Sequence, residues 1–211
     1  RSTLFPYTTL FRSKSLHIQS KALGEIIESS LISEENKENI LNKCTNLVWK
    51  LSYECLSMNP NSIIACTINN ANNSIELLTL KPFNLEKEIE LKKIILIKKG
   101  IVQRAINEKR IISVADVNSD SDYLSFDQST KSQIVIPFTY DGFIVGFISI
   151  EFPYYCPFTR EFLQLMQVIK KEVELAIKYT ELIHELVNDR DNLKNLASKL
   201  FSIDLRISDY E

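Results

Sequence analysis

The sequence predicts a mixed α/β domain, an antiparallel sheet packed by helices, with a long C-terminal helix leaving it. Three observations carry this. Between Gly100 and Phe152 a short helix, a strand, an acidic loop and two apolar runs follow in close order. Asp141-Gly142 separates those last two runs, which is the strongest short-range signal for a β-hairpin. Finally, Leu175, Tyr179, Leu182, Leu186, Asp189, Leu193, Leu196, Leu200, Ile203 and Ile207 alternate in steps of four and three, the spacing of a coiled-coil seam.

Taken in order, the chain opens on Arg1–Ser13, which has no acidic residue and no amphipathic period. From Thr3 onward it resembles an in-frame translation of a sequencing adapter oligonucleotide, so residues 1–13 are expected to be an artefact outside the fold. The native chain is then expected to begin mid-gene near Lys14. Residues 14–32 form an expected N-terminal helix, with Leu23, Ile26, Ile27 and Leu31 on one stripe. Ser33 followed by Glu34 and Glu35 caps the next helix, because acidic side chains favour the positive end of the helix dipole. Ile40, Cys44, Leu47, Leu51 and Cys55 continue it at helical spacing to about Ser57, and Met58-Asn59-Pro60-Asn61 ends it.

Strands are expected at Ile63–Ile68 and Ile75–Leu80, joined by the polar turn Asn69–Ser74. The stretch Leu91–Ile97 is ambiguous, since periodicity fits helix and strand alike. A short helix from Gly100 to Asn107 and a strand from Arg110 to Val114 lead into the acidic loop. Ile134, Ile136, Phe138, Phe143, Val145 and Phe147 are strand-type residues. Pro137 cannot donate to a ladder, so its strand should be bulged or lie at an edge there.

Composition narrows the function classes. The formal charge is −2, and leaving out Arg1 and Arg12 makes it −4. Acidic and basic residues are interspersed, so neither nucleic-acid binding nor contact with a membrane surface is expected. No apolar run approaches the roughly 18 residues that span a bilayer. Cys44, Cys55, Cys66 and Cys156 lack metal-site or disulfide spacing and are expected to be reduced, in a cytoplasmic protein. No metal and no cofactor is expected.

The order of elements and several residues together resemble a GAF domain, the small sensory module of many bacterial signalling proteins. The residues are Gly100-Ile101-Val102 opening a helix, Asp116-Val117 after a strand, Ser132, Pro137-Phe138, Asp141-Gly142 and Gly146 in the last strand. The resemblance continues through Phe158-Thr159 into the terminal helix and covers about residues 33–180. It implies a sensory domain at 33–175, then a signalling helix at 176–211 leading to an output domain beyond the chain. It further implies a small-ligand pocket between the sheet and the loop Asp116–Lys131, with Tyr123, Phe126, Ser132 and Ile134 as its expected lining. The fragment itself is expected to regulate rather than to catalyse.

The C-terminal series is read as the seam of a parallel homodimeric coiled coil, with Asp189 its one polar position. A histidine kinase of a two-component system is the first expectation for the missing output, because Leu196–Arg206 resembles the linker before the dimerisation helices of some sensor kinases. A diguanylate cyclase or a transcription activator is the rival. Two alternatives from other classes stand beside this reading: a stand-alone redox reductase on the same fold, and a dimerisation module without a ligand.

Other candidate chemistry is weaker. Asp116, Asn118, Asp120, Asp122 and Asp127 follow the spacing of a calcium loop, but Ser121 stands where glycine is needed and Asp127 replaces a long glutamate. A solvated capping loop is therefore expected. His184-Glu185-Leu186 resembles a phosphoacceptor site, yet Val187-Asn188-Asp189 follows it, so His184 is expected to face solvent. With only His17 and His184 present, nucleophilic catalysis by a Cys–His pair finds little support.

Overall fold

The computed structural model describes residues 37–54, 59–71, 74–82, 99–125 and 127–208. The expected artefact at 1–13, the helix expected at 14–32, the ambiguous stretch Leu91–Ile97 and Phe126 lie outside the described residues. Helix α1 covers Lys37–Glu54, and strands β1 (Ser62–Asn69) and β2 (Ser74–Lys81) follow. Next come α2 (Gly100–Glu108), β3 (Ile112–Val114) and a 3-10 turn at Val117–Ser119. The chain ends in β4 (Ser132–Tyr140), β5 (Phe143–Phe152) and the long helix α3 (Arg160–Ser208). This is the α/β arrangement that the sequence predicts.

The five strands among the described residues make one antiparallel sheet in the order β2-β1-β5-β4-β3. The β4–β5 hairpin turns at Asp141 and Gly142, both at positive φ (48° and 78°), the left-handed geometry that a two-residue turn of this hand requires. Lys109 also adopts positive φ as it ends α2, and its Nζ donates to the Gly142 carbonyl, tying that helix end to the hairpin. Pro137 sits as its missing N–H demands. β3 stops opposite Val135, so β4 is locally an edge at Pro137, and the β4–β5 register shifts just beyond, between Phe138 and Thr139.

The sheet is buried on both faces. Ile63, Ala65, Ile134, Ile136, Phe138, Ile148, Ile150 and Phe152 face α1 and α3, meeting Ile40, Leu41, Cys44 and Val48 of α1. From α3 come Phe162, Met166, Ile169, Val173 and Ile177. On the opposite face Ile64, Cys66, Val135 and Phe147 meet Ile101 and Ala105 of α2 and Val117 of the loop. Thr159 Oγ accepts from Phe162 N and opens α3, where the sequence places its start. α3 runs without a break through the boundary expected near residue 175.

A side-chain clamp fixes α3 on the sheet. Glu174 Oε1 accepts from Thr139 N at 2.7 Å and from Thr139 Oγ at 2.5 Å, beside the register shift. Lys170 Nζ donates to the same carboxylate and to the Pro137 carbonyl. Lys170 is buried, so its charge is held by these two acceptors rather than by water.

Two substitutions probe this packing. Glu174→Ala should destabilise the fold by about 2–3 kcal/mol in urea unfolding, because it leaves a buried ammonium with one acceptor. Gly146→Ala should cost about 1–3 kcal/mol, the usual effect of overpacking. A Cβ there would lie 2.6 Å from the Cys66 carbonyl oxygen and 2.7 Å from Leu41 Cδ1.

Candidate functional site

The face of the sheet turned away from α1 and α3 is apolar at one end and polar at the other. Ser62 of β1, Gln133 of β4, and Ser149 and Glu151 of β5 point to this face because they alternate with residues of the helix-side core. All four are buried, and Glu151 is only 2% exposed. Strand pairing sets Ser62 and Gln133 on either side of Glu151.

Glu151 Oε2 accepts from Thr130 Oγ at 2.9 Å and from Ser62 Oγ at 3.2 Å. Gln133 Nε2 lies 3.5 Å from Oε1 and donates to Ser149 Oγ at 2.9 Å. Asn61, just before β1, donates to Ser129 Oγ and Thr130 Oγ, both at 3.0 Å. A carboxylate can stay in such a place because hydroxyl and amide donors replace water. Two oxygens of the group, Asn61 Oδ1 and Tyr123 Oη, are buried without a hydrogen-bond partner among the described residues. Burial and then the charge of Glu151 push the Tyr123 hydroxyl above its ordinary value. Thr130 and Ser125 are close enough to pull the other way, yet neither meets the Tyr123 oxygen in hydrogen-bonding geometry.

The acidic loop roofs this end. Its carboxylates serve the backbone: Asp116 Oδ1 accepts from Asn118 N, Asp120 Oδ1 from Asp122 N, and Asp127 Oδ1 from Ser129 N. Each is the two-residue reach of an Asx turn. Arg104 on α2 bridges Asp120 at 2.6 Å and Asp122 at 2.8 Å. The hydrogen bond to Arg104 holds Asp120 below the usual carboxylate range, and the same pair raises Arg104. The calcium-like spacing is thus occupied by turn chemistry and an arginine, and no group of side chains suited to a metal occurs among the described residues.

The expected lining residues do not converge. Tyr123 packs on the loop side of the sheet, whereas Ile134 is wholly buried in the layer against the helices. Ser132 is buried too, its Oγ donating to the Tyr154 carbonyl. Phe126 lies outside the described residues. The expectation that Ile134 and Tyr123 share one pocket is corrected by one residue of strand parity: Gln133, not its neighbours, faces the loop. The signal that was available is the placing of Gln133, Ser149 and Glu151 inside otherwise apolar strands. Elsewhere, an open hollow of about 470 Å³ lies between Ala115–Asp116, after β3, and Tyr155–Pro157, before α3.

The three described thiols, Cys44, Cys66 and Cys156, are poor nucleophiles where they stand. Burial pushes the Cys44 thiol up to about 12 and raises Cys66 further. Cys156 is raised as well, mainly by burial. Such thiols stay protonated at neutral pH.

The helix surface is the other candidate. Leu175, Tyr179, Leu182, Leu186, Leu193 and Leu196 are 39–69% exposed, on the side of α3 away from buried Val173, Ala176 and Ile177. Asp189 and His184 are also exposed. The side chains of Leu200, Ile203 and Ile207 lie outside the described set, although the helix backbone continues through them. Among the described residues no helix is long and apolar enough to cross a membrane.

Comparison with known proteins bears on the fold. Residues 77–177 match the family model described as the GAF domain. None of the curated proteins matches the chain. The GAF domain of an Acinetobacter phosphoenolpyruvate-protein phosphotransferase superposes with a TM-score of 0.56 at 14% identity, over 75% of this chain and 92% of that one. Free methionine-R-sulfoxide reductase from Neisseria meningitidis, in complex with its substrate, gives 0.57 at 14% identity, over 87% and 97%. The fRMsr of Staphylococcus aureus in its reduced form gives 0.56 at 21% identity, over 77% and 94%. At these identities the likeness is one of fold.

Arg104→Ala should release the acidic loop while costing no more than about 1 kcal/mol of stability, the range for partly exposed pairs. Hydrogen exchange should then quicken at the amides of Asn118 and Asp122. Because Asp120 is held low when folded, the pair's contribution is present at neutral pH. It is lost as pH falls below the ordinary Asp range, and the variant should show a smaller loss there.

Proposed function

We propose that the GAF domain carried at residues 77–177 of this chain is the sensory part of a cytoplasmic signalling protein, which binds a small molecule and passes the outcome along α3. The observation that supports this best is the acceptor-rich group beneath the acidic loop. Glu151, Asn61 Oδ1 and Tyr123 Oη gather where β1, β4 and β5 meet, with two of the oxygens lacking partners among the described residues. Leaving a buried acceptor unsatisfied costs about 1–3 kcal/mol, and a ligand carrying N–H or O–H donors would recover it. Protein ligand sites have this character, a few placed polar groups beside an apolar wall, here Val135, Phe147 and Val117.

Transmission follows from where the clamp sits. Lys170 and Glu174 hold α3 to β4 beside the register shift, and the outward stripe begins at the next residue, Leu175. A ligand that favours one packing of the sheet would bias the position of α3, which dimerisation would carry onward. A histidine kinase is the output this reading favours.

The second reading, a reductase, is supported by the fold shared with the two methionine sulfoxide reductases. Against it stand the raised thiols of Cys44 and Cys66.

Thermal unfolding against a panel of amino acids, amines and nucleotides separates these readings, since a ligand that binds only the folded state must raise Tm. A stabilising ligand whose affinity falls about tenfold in Tyr123→Phe, the loss of one hydrogen bond, is the expected result. If nothing in the panel shifts Tm, the sensory reading gives way to a dimerisation module. Reduction of free methionine-R-sulfoxide that disappears in Cys66→Ser or Cys156→Ser would establish the enzyme instead.

A further inference from the structure

We infer that the outward stripe of α3 is covered by the same stripe of a second copy of this chain, in a parallel pair kept in register by Asp189. This rests on the dimeric transmission reading above and specifies its geometry.

The need for a partner is physical. Every side chain from His184 to Lys199 is exposed, so this stretch of helix gains no burial in a single copy. Leu186, Leu193 and Leu196 are 69%, 66% and 56% exposed. A helix of that length with a bare leucine stripe is marginal in water, since helices draw most of their stability from packing an apolar face. The stripe is separate from the domain's own core. Over one turn Val173, Ala176 and Ile177 are buried on the sheet while Leu175 and Tyr179 point away from it. The partner must therefore present a matching apolar ridge, and the seven-residue repeat supplies one in the chain itself.

Charge favours the parallel arrangement. With Leu186 and Leu193 on one row of the seam and Leu182, Asp189 and Leu196 on the other, Glu185 and Arg190 flank it on opposite sides. In a parallel pair the first flank of one helix meets the second flank of the other five residues on. Glu185 then faces the partner's Arg190. Among the described residues of the single copy Arg190 pairs with the exposed neighbouring Asp191, a weak pair that can be exchanged.

Asp189 selects the register. In register, both Asp189 carboxylates share one layer, reached by water from the side. A slip of one repeat instead sets each Asp189 against a leucine, Leu182 or Leu196, and makes two layers in which a carboxylate loses water without a donor. The in-register pair confines that cost to one place. The price is a weak point in the middle of the coil, which leaves the dimer able to respond to the domain.

Sedimentation and disulfide trapping of the whole chain test this. The chain should be dimeric in the micromolar range. Leu182→Cys and Leu196→Cys, both at exposed positions, should each cross-link to themselves on oxidation, since facing seam positions lie within the roughly 4.4–6.8 Å Cα separation that a disulfide tolerates. The unsubstituted chain sets the background. Asp189→Leu should tighten the dimer by at least about tenfold, or about 1.4 kcal/mol. Cross-linking only between the two different cysteine variants would mean an antiparallel pair, and a dimer that cross-links in neither way a pair slipped by one repeat; either result overturns this inference and leaves dimerisation standing. An Asp189→Leu dimer no tighter than the original would also overturn it. A monomer at every concentration would remove the dimeric reading itself.

Discussion

The contact on which the rest of the molecule depends is the clamp of Lys170 and Glu174 on β4. A proline at 137 and a register shift at Phe138/Thr139 interrupt β4 just where α3 crosses it. The Thr139 N–H and the Pro137 carbonyl, which a regular inner strand would give to neighbouring strands, go instead to two side chains one helical turn apart. That exchange fixes the rotation of α3 about its axis. Once Glu174 is turned to the sheet, Val173 and Ile177 must be buried, and Leu175 and Tyr179 must point outward.

The two faces of the sheet then divide the work. The helix side is almost wholly apolar and carries the packing energy, with Phe138, Phe152 and the fully buried Ile63, Ile134, Ile136, Ile148 and Ile150 on the sheet. The loop side is a compromise. Glu151 is retained inside a hydrogen-bond group that draws on β1, β4, β5 and the loop, with partners up to 89 residues apart in sequence. Replacing that group by hydrocarbon would be neutral or favourable for stability in many proteins, so folding alone does not require it. The roof over it is shaped by three Asx turns and one arginine, and pinned to the sheet at Val117, which is buried in the loop-side core and donates its N–H to the Lys131 carbonyl.

The fold is shared by the GAF domain of a phosphotransferase and by a methionine sulfoxide reductase, and fold alone does not assign an activity. The division lies in side chains. Reduction by thiols needs sulfur that can ionise, and here Cys44 is within the helix-side core and Cys66 beneath α2, each pushed away from the thiolate by burial. The Glu151 group and the clamped helix are what the proposed sensory reading rests on.

Local chemistry was legible in the sequence because it acts over a few residues. Asp141-Gly142 set the hairpin, since few other pairs accept positive φ at both positions. Ser/Thr and Asp side chains marked the start of α3 and the turns of the loop, where their reach is two or three residues. The four-three spacing of the leucines marked a stripe that the structure leaves exposed. The candidate site was not legible to the same degree. The resemblance points to the acidic loop and to Tyr123, but it names Ser132 and Ile134 rather than Gln133, because strand parity depends on which face the partners and helices occupy. Asn61, Ser62, Thr130, Ser149 and Glu151 were missed for a related reason. A lone serine or glutamate in a strand reads as a surface residue until pairing with β1 and β4 encloses it. Sequence by itself determined the elements, their turns and the outward stripe, through interactions shorter than one helical repeat. Tertiary structure alone decided which polar side chains meet, because a buried carboxylate is tolerable only where distant strands bring it donors.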